Sequence, residues 1–335
     1  MQMSSYVVFG EAGFSEKLAN ELQTDYIEVT QTVFPDREIK TRVDTSSLKR
    51  LRDKTALVIV RSRRYSPNPN DCVLKTLLVA ETLARYEVKK MDLLIPYMFY
   101  ARQDGERLPG ESDSLTRIAD LYEEAGFRNL ITVNSHLFGK KKSLQEFFKS
   151  IKVYDLSTAS LFGEYLLTKN LENPFVIGPG SGPERMVVEL SNYLHCDYEC
   201  LPKIRNPETG RVDMKPPNTN LKEKDLIIYD DIASSGGTTE MAYRLSETYH
   251  PRSMFIVLSH LWTAEGINRL SILGSQEMIT TNSFITENVK NPFTELSITP
   301  LLAKHLPEIS PERQMPLQIG FNKRLKLNNI LRRKK

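Results

Sequence analysis

The chain has 335 residues, 40% of them apolar, and a formal net charge of +3. That length allows about two domains with ordinary cores, while no apolar run approaches the roughly 20 residues of a membrane span and the N-terminus lacks the basic region and apolar core of a signal peptide. Cys72, Cys196 and Cys200 are an odd and sparse set that suits a reducing cytosol, so a cytoplasmic protein is expected. Lys323, Arg324, Lys326, Arg332, Arg333, Lys334 and Lys335 crowd the last residues without an acid. The body is therefore mildly acidic and offers no basic stripe for nucleic acid.

Strand-like and helix-like patterns alternate along the chain, which predicts parallel sheets covered by helices. Tyr6–Gly10 reads as a first strand and Phe14–Leu22 as a helix. Ile27–Phe34 and Glu38–Val43 read as a hairpin around Pro35-Asp36-Arg37, and Ala56–Val60 as another strand. Asp71–Arg85 is amphipathic, with Val73, Leu77, Ala80 and Leu83 on one side. Met91–Pro96 is a strand, Ser112–Ala125 a helix and Leu130–Asn134 a strand.

A second half repeats the theme. Leu156–Leu167 and Glu184–Leu194 are predicted helices flanking the strand Phe175–Ile177. Asp197–Ile204 reads as a strand, and Asn206–Met214, with Pro207 and Gly210, as a mobile excursion. The strand Ser253–Ser259, a helix near Ala264–Leu270 and a last strand Met278–Thr281 follow. Pro307, Pro311 and Pro316 mark the expected end of compact structure. The expected division is 1–150, 151–306 and a basic extension over 307–335. His195, Cys196 and Cys200 lie close together, but one cluster with no second ligand pair is a weak zinc signal.

Between these strands lies Asp225–Thr239, DLIIYDDIASSGGTT. Leu226–Ile228 is a short apolar run of the kind buried on both faces of a sheet. Asp230 and Asp231 stand where that strand would end, followed by Ser234, Ser235, Gly236, Gly237 and Thr238 and then a helical pattern. Glycines let successive backbone N–H groups form an anion nest, to which the helix adds its positive end. The carboxylates would repel a phosphate but can accept from neighbouring sugar hydroxyls. Diol acceptors followed by a phosphate nest describe a pocket for ribose 5-phosphate; the plainer reading is a buried strand with a polar turn.

This stretch resembles the phosphoribosyl pyrophosphate signature shared by type I phosphoribosyltransferases and ribose-phosphate pyrophosphokinases. Four further motifs bear on the choice. Phe34-Pro35-Asp36-Arg37-Glu38 is ordinary turn chemistry but is similar to the pyrophosphokinase Phe-x-Asp-x-Glu motif. By that resemblance Phe34 stacks on adenine and Asp36 and Glu38 accept from its amino group, across a subunit interface. Tyr100-Ala101-Arg102-Gln103-Asp104, just after a core strand, resembles a pyrophosphokinase motif absent from ordinary phosphoribosyltransferases, and implies that Arg102 and Gln103 hold ATP. Ile131–His136 resembles Thr-Val-x-x-His, which implies that His136 serves ATP and a magnesium site; Asn134 is similar to the archaeal branch. Lys203 and Arg205 resemble the Lys-x-Arg of a catalytic loop that folds over the triphosphate.

Gly178-Pro179-Gly180-Ser181-Gly182 lacks the third glycine of a dinucleotide loop at the correct spacing. It occupies the family's Pro-Asp-x-Gly position, where the acid is a magnesium ligand and this chain has Gly180. The resemblance covers residues 5–306. It implies two similar three-layer α/β halves of type I phosphoribosyltransferase type, Mg²⁺ as cofactor and a homo-oligomer with an interfacial ATP site. The implied reaction transfers pyrophosphate from ATP to C1 of ribose 5-phosphate, giving phosphoribosyl pyrophosphate and AMP. Three alternatives stand beside it: a salvage phosphoribosyltransferase, a non-catalytic regulatory homologue favoured by Gly180, and the same transfer to another ribose 5-phosphoryl acceptor.

Overall fold

The computed structural model of the chain describes residues 5–51, 54–106, 108–205, 212–286 and 291–309. The excursion 206–211 and the extension 310–335 lie outside the described residues. The chain forms two α/β units of three layers. In the first, the strands are β1 (Tyr6–Gly10), β2 (Tyr26–Val33), β3 (Ile39–Val43), β4 (Thr55–Ile59), β5 (Met91–Leu94), β6 (Asn129–Val133) and β7 (Lys152–Leu156). They lie in the order β3-β2-β1-β4-β5-β6-β7, and every pairing is parallel except the β2–β3 hairpin. Helices α1 (Phe14–Glu21), α2 (Pro69–Arg85) and α3 (Ser114–Glu124) connect them. The residues starting α2 and α3 explain where they begin: Pro69 follows Asn68, and the Asp113 carboxylate accepts from the Thr116 N–H.

After α4 (Ala159–Leu166) comes the second unit, with β8 (Pro174–Gly178), α5 (Glu184–Leu194) and β9 (Asp197–Cys200). A small antiparallel hairpin, β10 (Lys203–Arg205) and β11 (Val212–Met214), stands apart from the sheet. Then follow β12 (Asp225–Ala233), α6 (Gly237–Glu247), β13 (Ser253–Leu261), α7 (Ala264–Ser271), β14 (Glu277–Thr281), β15 (Thr294–Leu296) and α8 (Thr299–His305). The all-parallel sheet runs β15-β14-β13-β12-β8-β9. Read from the second strand of each half, the orders β2-β1-β4-β5-β6-β7 and β9-β8-β12-β13-β14-β15 are the same path. The two halves are therefore one topology used twice.

Several elements differ from expectation for local reasons. The predicted helix Leu156–Leu167 starts later, as α4 at Ala159, because Leu156 ends the edge strand β7, which pairs with β6; a join near residue 150 falls just ahead of this strand. Asp197–Ile204 is interrupted at Leu201-Pro202, since proline supplies no ladder donor, and the hairpin begins after it. Compact structure also continues past Pro307: Ile309 is buried, and its carbonyl accepts from the Tyr6 hydroxyl at 3.2 Å.

The last strands explain how the halves are joined. Helix α4 follows β7 of the first sheet yet packs with α5 in the core of the second, through Ala159, Phe162 and Leu166. Helix α8 follows β15 of the second sheet yet returns to the first, where Leu301, Leu302 and Leu306 lie with Tyr6, Val8 and Leu18. Burying each such leucine contributes about 2 kcal/mol. Between the halves, the segment after β4 pairs with the chain after β14: the Ile285 N–H donates to Ser62 O and the Arg64 N–H to Ile285 O, both at 2.9 Å. Fully buried Arg64 donates to Leu261 O, to Thr281 O at 2.8 Å, to Thr286 Oγ1 at 3.0 Å and to Glu295 Oε1 at 2.7 Å. Among the described residues no helix is long and apolar enough to cross a membrane.

Asp225, buried at the start of β12, ties this strand to its surroundings. It accepts from Arg252, from Ser253 Oγ at 2.5 Å and from the N–H groups of Glu172 and Asn173 at 2.8 and 3.1 Å. Burial pushes its carboxyl up, but the bonds from Arg252, Ser253 and the two amides outweigh this and hold it at about 2. Because the folded value lies below the ordinary 3.8, the stabilisation is present above that pH and is lost as the pH falls through about 2. Asp225→Asn, which turns a donor toward other donors, should lose about 1–3 kcal/mol at neutral pH. In urea titrations the gap from wild type should narrow between pH 4 and pH 2, whereas a pH-independent gap would show that the charge is not what matters.

Candidate active site

The C-terminal ends of β5, β6, β8 and β12 are the ends at which open α/β sheets present side chains to ligands. The two halves meet there through one short contact: His136 Nδ1, beyond β6, lies 2.6 Å from Asp231 Oδ2, near the end of β12. Residues 95 apart in sequence, one from each half, thus form a single site. Tyr97, after β5, is buried edge-on against His260 at 5.0 Å, and its phenol is held above its ordinary value first by burial and then by the charge of Asp231. Arg102 acts on the same phenol in the opposite sense, so the Arg102 guanidinium belongs to this neighbourhood, with its side chain exposed. Exposed Gln103 accepts from Ser114 Oγ at 2.8 Å through its Oε1.

Asp230 and Asp231 are adjacent yet electrostatically unlike. Burial raises the Asp230 carboxyl well above the usual range, and the neighbouring Asp231 charge adds to this; Lys203 opposes it. Burial pushes Asp231 the same way, but the hydrogen bond and charge of His136 outweigh it and hold Asp231 below the usual range. The two carboxyls are thus pushed apart, Asp230 toward its neutral form and Asp231 toward its charged form beside His136. A protonated Asp230 can both donate to and accept from a hydroxyl. Thr239, the last residue of the small-residue loop, approaches Asp230 Oδ2 with its hydroxyl at 3.5 Å.

The small-residue loop is shaped by what packs under it. Gly236 has φ of +75° and precedes the first turn of α6, where a nest of amides can face an anion. A Cβ on Gly236 would meet Leu270 at 3.1 Å, whereas one on Gly237 would find only Ser235 Oγ, at 4.0 Å. Gly237 thus faces open space. Ser234 is anchored from below: its carbonyl accepts from Thr263 Oγ1 at 2.6 Å. A Cβ on Gly266 would lie 2.2 Å from that carbonyl, so the helix α7 can approach the loop only with glycine there. The sequence signal for both residues was a Thr-x-x-Gly at a helix start, legible as a cap but not as a support for the loop.

Lys203 and Gly180 are brought together across β8 and the β10–β11 hairpin. The Lys203 stem runs past Gly180, where a Cβ would stand 3.2 Å from Lys203 Cε, and its charge reaches Asp230. Arg205 pairs through its backbone with Val212, and its side chain lies outside the described residues. Phe34, Asp36 and Glu38 lie elsewhere. They form the tip of the β2–β3 hairpin, where the Asp36 carboxylate accepts from the Glu38 N–H at 3.1 Å and Lys40 Nζ lies 5.5 Å from the Phe34 ring. Strand β2 is four strand steps from β6, about 19 Å at roughly 4.8 Å per step. Among the described residues no three His, Cys, Asp or Glu side chains converge as a metal-ligand group.

Gly180 has φ of +105°, a conformation in which side chains are strained whatever the space around them. Gly180→Ala should therefore lower unfolding free energy by about 1–3 kcal/mol, and Gly180→Asp would meet the same strain plus the Lys203 stem. Equal urea midpoints for wild type and Gly180→Ala would refute the left-handed conformation.

A family model described as the N-terminal domain of ribose phosphate pyrophosphokinase matches residues 8–126, and one described as the phosphoribosyl transferase domain matches residues 153–272. The chain is 30% identical over 296 residues to the ribose-phosphate pyrophosphokinase of Sulfurisphaera tokodaii, covering 88% of this chain and 97% of that protein. It is also 30% identical over 287 residues to that of Saccharolobus solfataricus, covering 84% and 93%. Among solved structures, phosphoribosylpyrophosphate synthetase from Mycobacterium smegmatis matches with a TM-score of 0.76 at 26% identity, over 91% of this chain and 98% of that one. Both halves, their order and nearly their full length agree, so the chain is an enzyme of the ribose-phosphate pyrophosphokinase family.

Proposed function

We propose that the enzyme transfers the β,γ-pyrophosphoryl group of ATP to the C1 hydroxyl of ribose 5-phosphate, releasing AMP. The observation that carries this reading is the His136–Asp231 contact, which joins a nucleotide-side motif of one half to the sugar-side loop of the other. Asp230 and Asp231 would hold the sugar hydroxyls, the charged one accepting and the protonated one able to do both. The amides of 236–238 and the hydroxyls of Ser234, Ser235 and Thr238 would hold the 5-phosphate. Arg102, Gln103 and His136 would hold the triphosphate, with Lys203 and Arg205 closing over it as charge develops. Phe34, Asp36 and Glu38 would serve the adenine of a second copy, since their own site is several strands away. That assignment makes the enzyme a homo-oligomer, and with its substrates and unpaired thiols it belongs in the cytoplasm.

Mg²⁺ fits the donors present: it commonly takes only one or two carboxylates together with water and substrate phosphates. His136, with Asp231 beside it, would hold it on the protein side. When bound it would neutralise charge on the triphosphate. Gly180 supplies no carboxylate, so the metal would enter chiefly as Mg·ATP. Lys203, whose charge reaches Asp230, would swing to the triphosphate when substrate binds.

Incubation with Mg²⁺, ATP and ribose 5-phosphate should yield AMP only when the sugar is present. Absence of sugar-dependent AMP at every Mg²⁺ concentration would favour the regulatory homologue, and AMP formation with another ribose 5-phosphoryl compound alone would change the acceptor. Replacing Lys203 or Arg205 with Ala should lower kcat about 10²–10³-fold, the scale of one lost transition-state donor, with ribose 5-phosphate affinity little changed; wild-type kcat would remove that residue from the mechanism. Gly237→Val should fill the open space above the loop and abolish sugar binding in calorimetry while ATP still binds. Undiminished sugar affinity would sink the nest assignment.

A further inference from the structure

Behind the His136–Asp231 contact lies a second, buried connection between the same two strand ends. Asn134, with φ of +39° and no exposure, accepts at its Oδ1 from the Thr158 N–H at 2.7 Å and from Thr158 Oγ1 at 2.6 Å. Thr158 Oγ1 lies 2.7 Å from the Tyr229 hydroxyl and 3.0 Å from Ser259 Oγ. A threonine hydroxyl has one proton, and here it is given to Asn134 Oδ1. Tyr229 and Ser259 are therefore the donors to Thr158. Asn134 is two residues before His136 and Tyr229 two residues before Asp231, so the hydrogen bonds close a ring through Asn134, Thr158, Tyr229, Asp231 and His136.

The repeated topology shows what this ring adds to the fold. Ile131-Thr132-Val133-Asn134-Ser135 recurs as Ile279-Thr280-Thr281-Asn282-Ser283. The Asn134 N–H donates to Leu156 O and the Asn282 N–H to Leu296 O, each at 2.9 Å. Asn282 Oδ1 accepts from the Ile298 N–H at 2.9 Å, just before α8, as Asn134 Oδ1 does from Thr158 just before α4. Strand registers match Tyr229 to Ile59 and Ser259 to Pro96: Leu226 pairs with Phe175 and Met254 as Ala56 pairs with Val7 and Met91. The backbone device thus occurs twice. Its hydroxyl triad occurs once, and the counterpart positions are Ile298, Ile59 and Pro96. An asparagine joined to the helix start suffices for the architecture, and the hydroxyls are additional on the side that carries His136 and Asp231.

We infer that Thr158, Tyr229 and Ser259 are positioning residues, a buried hydroxyl triad that sets the His136–Asp231 pair across the seam between the halves. They act through the ends of β6 and β12 and touch no substrate. The inference rests on the proposed role of that pair in catalysis, but its geometry can be tested without turnover.

Thr158→Val keeps the shape and removes the hydroxyl, while Thr158→Ser restores it. In the full chain, ¹⁵N-labelled histidine spectra, with His136 identified by comparison with His136→Gln, report which ring nitrogen bears the proton and how it is bonded. Thr158→Val should move the His136 ring signals and lower kcat about 10–100-fold, the scale of a small misplacement of reacting groups, with KM for the sugar changed less than about threefold in the same comparison. Thr158→Ser should return both toward wild type. Tyr229→Phe, whose ring keeps its edge contact with Phe162 at 5.5 Å, is the second variant should Thr158→Val not fold, and should show the same changes. Wild-type His136 signals in folded Thr158→Val or Tyr229→Phe would overturn the inference, as would a Thr158→Ser variant as impaired as the valine. Lack of sugar-dependent AMP in the wild type would instead count against the assigned reaction, and the His136 spectra would still decide the triad.

Discussion

Each sheet in this chain has one apolar face that its own half covers only in part, with α1 on the first sheet and α5 on the second, and the halves complete the cover for one another. Helix α4 leaves the first sheet to close the second, and α8 leaves the second to close the first. Burial of Phe162 and Leu166 on one side and Leu301, Leu302 and Leu306 on the other therefore stabilises the association of the halves as well as each core. A half alone would lack Leu301, Leu302 and Leu306 beside Tyr6, Val8 and Leu18, or Phe162 and Leu166 beside Val187 and Leu190. The exchange holds the ends of β6 and β12 side by side, and the His136–Asp231 contact depends on that juxtaposition.

Given one topology used twice, the two seams between the halves invite comparison. By strand register Arg61 holds the position of Asp231, and Phe284 that of His136. At one seam His136 meets Asp231. At the other, Arg61 donates to the carbonyls of Asn282 and Phe284 at 2.7 and 3.3 Å and to Glu11 Oε1 at 2.6 Å. Its guanidinium also lies 4.0 Å from the Phe14 ring centroid. Phe284 stacks on Trp262 at 5.2 Å. Arg64 beside it donates to three protein oxygens and to the Glu295 carboxylate, which is how a charge can be kept fully buried. One seam is filled with arginine and aromatic rings and holds the halves together; the other keeps polar, titratable groups at a partly open surface.

The open seam is also where charge is divided most unevenly. His260, buried against Tyr97, is pushed down to about 4 by burial, so it is neutral at physiological pH. With a carbonyl at Val133 facing its Nε2 at 2.8 Å, that nitrogen carries the proton, and Nδ1 accepts from Ser283 Oγ at 2.9 Å. A neutral imidazole behind the site leaves Asp231 answered by His136 alone among the neighbouring rings. Asp155 restrains the same strand end by accepting from the Ser135 N–H and hydroxyl at 3.0 and 2.5 Å. The end of β6 thus rests on buried hydrogen bonds to both its side chains and its backbone.

The amino-acid sequence determined by itself whatever depends on neighbours in the chain. Buried strands such as Tyr6–Gly10 and Leu226–Ile228 were legible as apolar runs, and α2 as a periodic stripe, because strand and helix periods place apolar residues at fixed spacings. The loop 234–239 was legible as a turn into a helix because its small residues are followed by a helical pattern. Tertiary structure decided what depends on distant partners. Lys152–Leu156 becomes a strand because β6 lies beside it, α8 finds its partner in α1 across nearly the whole chain, and Gly180 takes a positive φ with Lys203 against it. The recurrence of Ile-Thr-x-Asn-Ser was present in the sequence, but its meaning needed the strand register. Only the folded chain makes Asp230 and Asp231 chemically unlike, since burial and the approach of His136, not sequence position, push the two carboxyls in opposite directions.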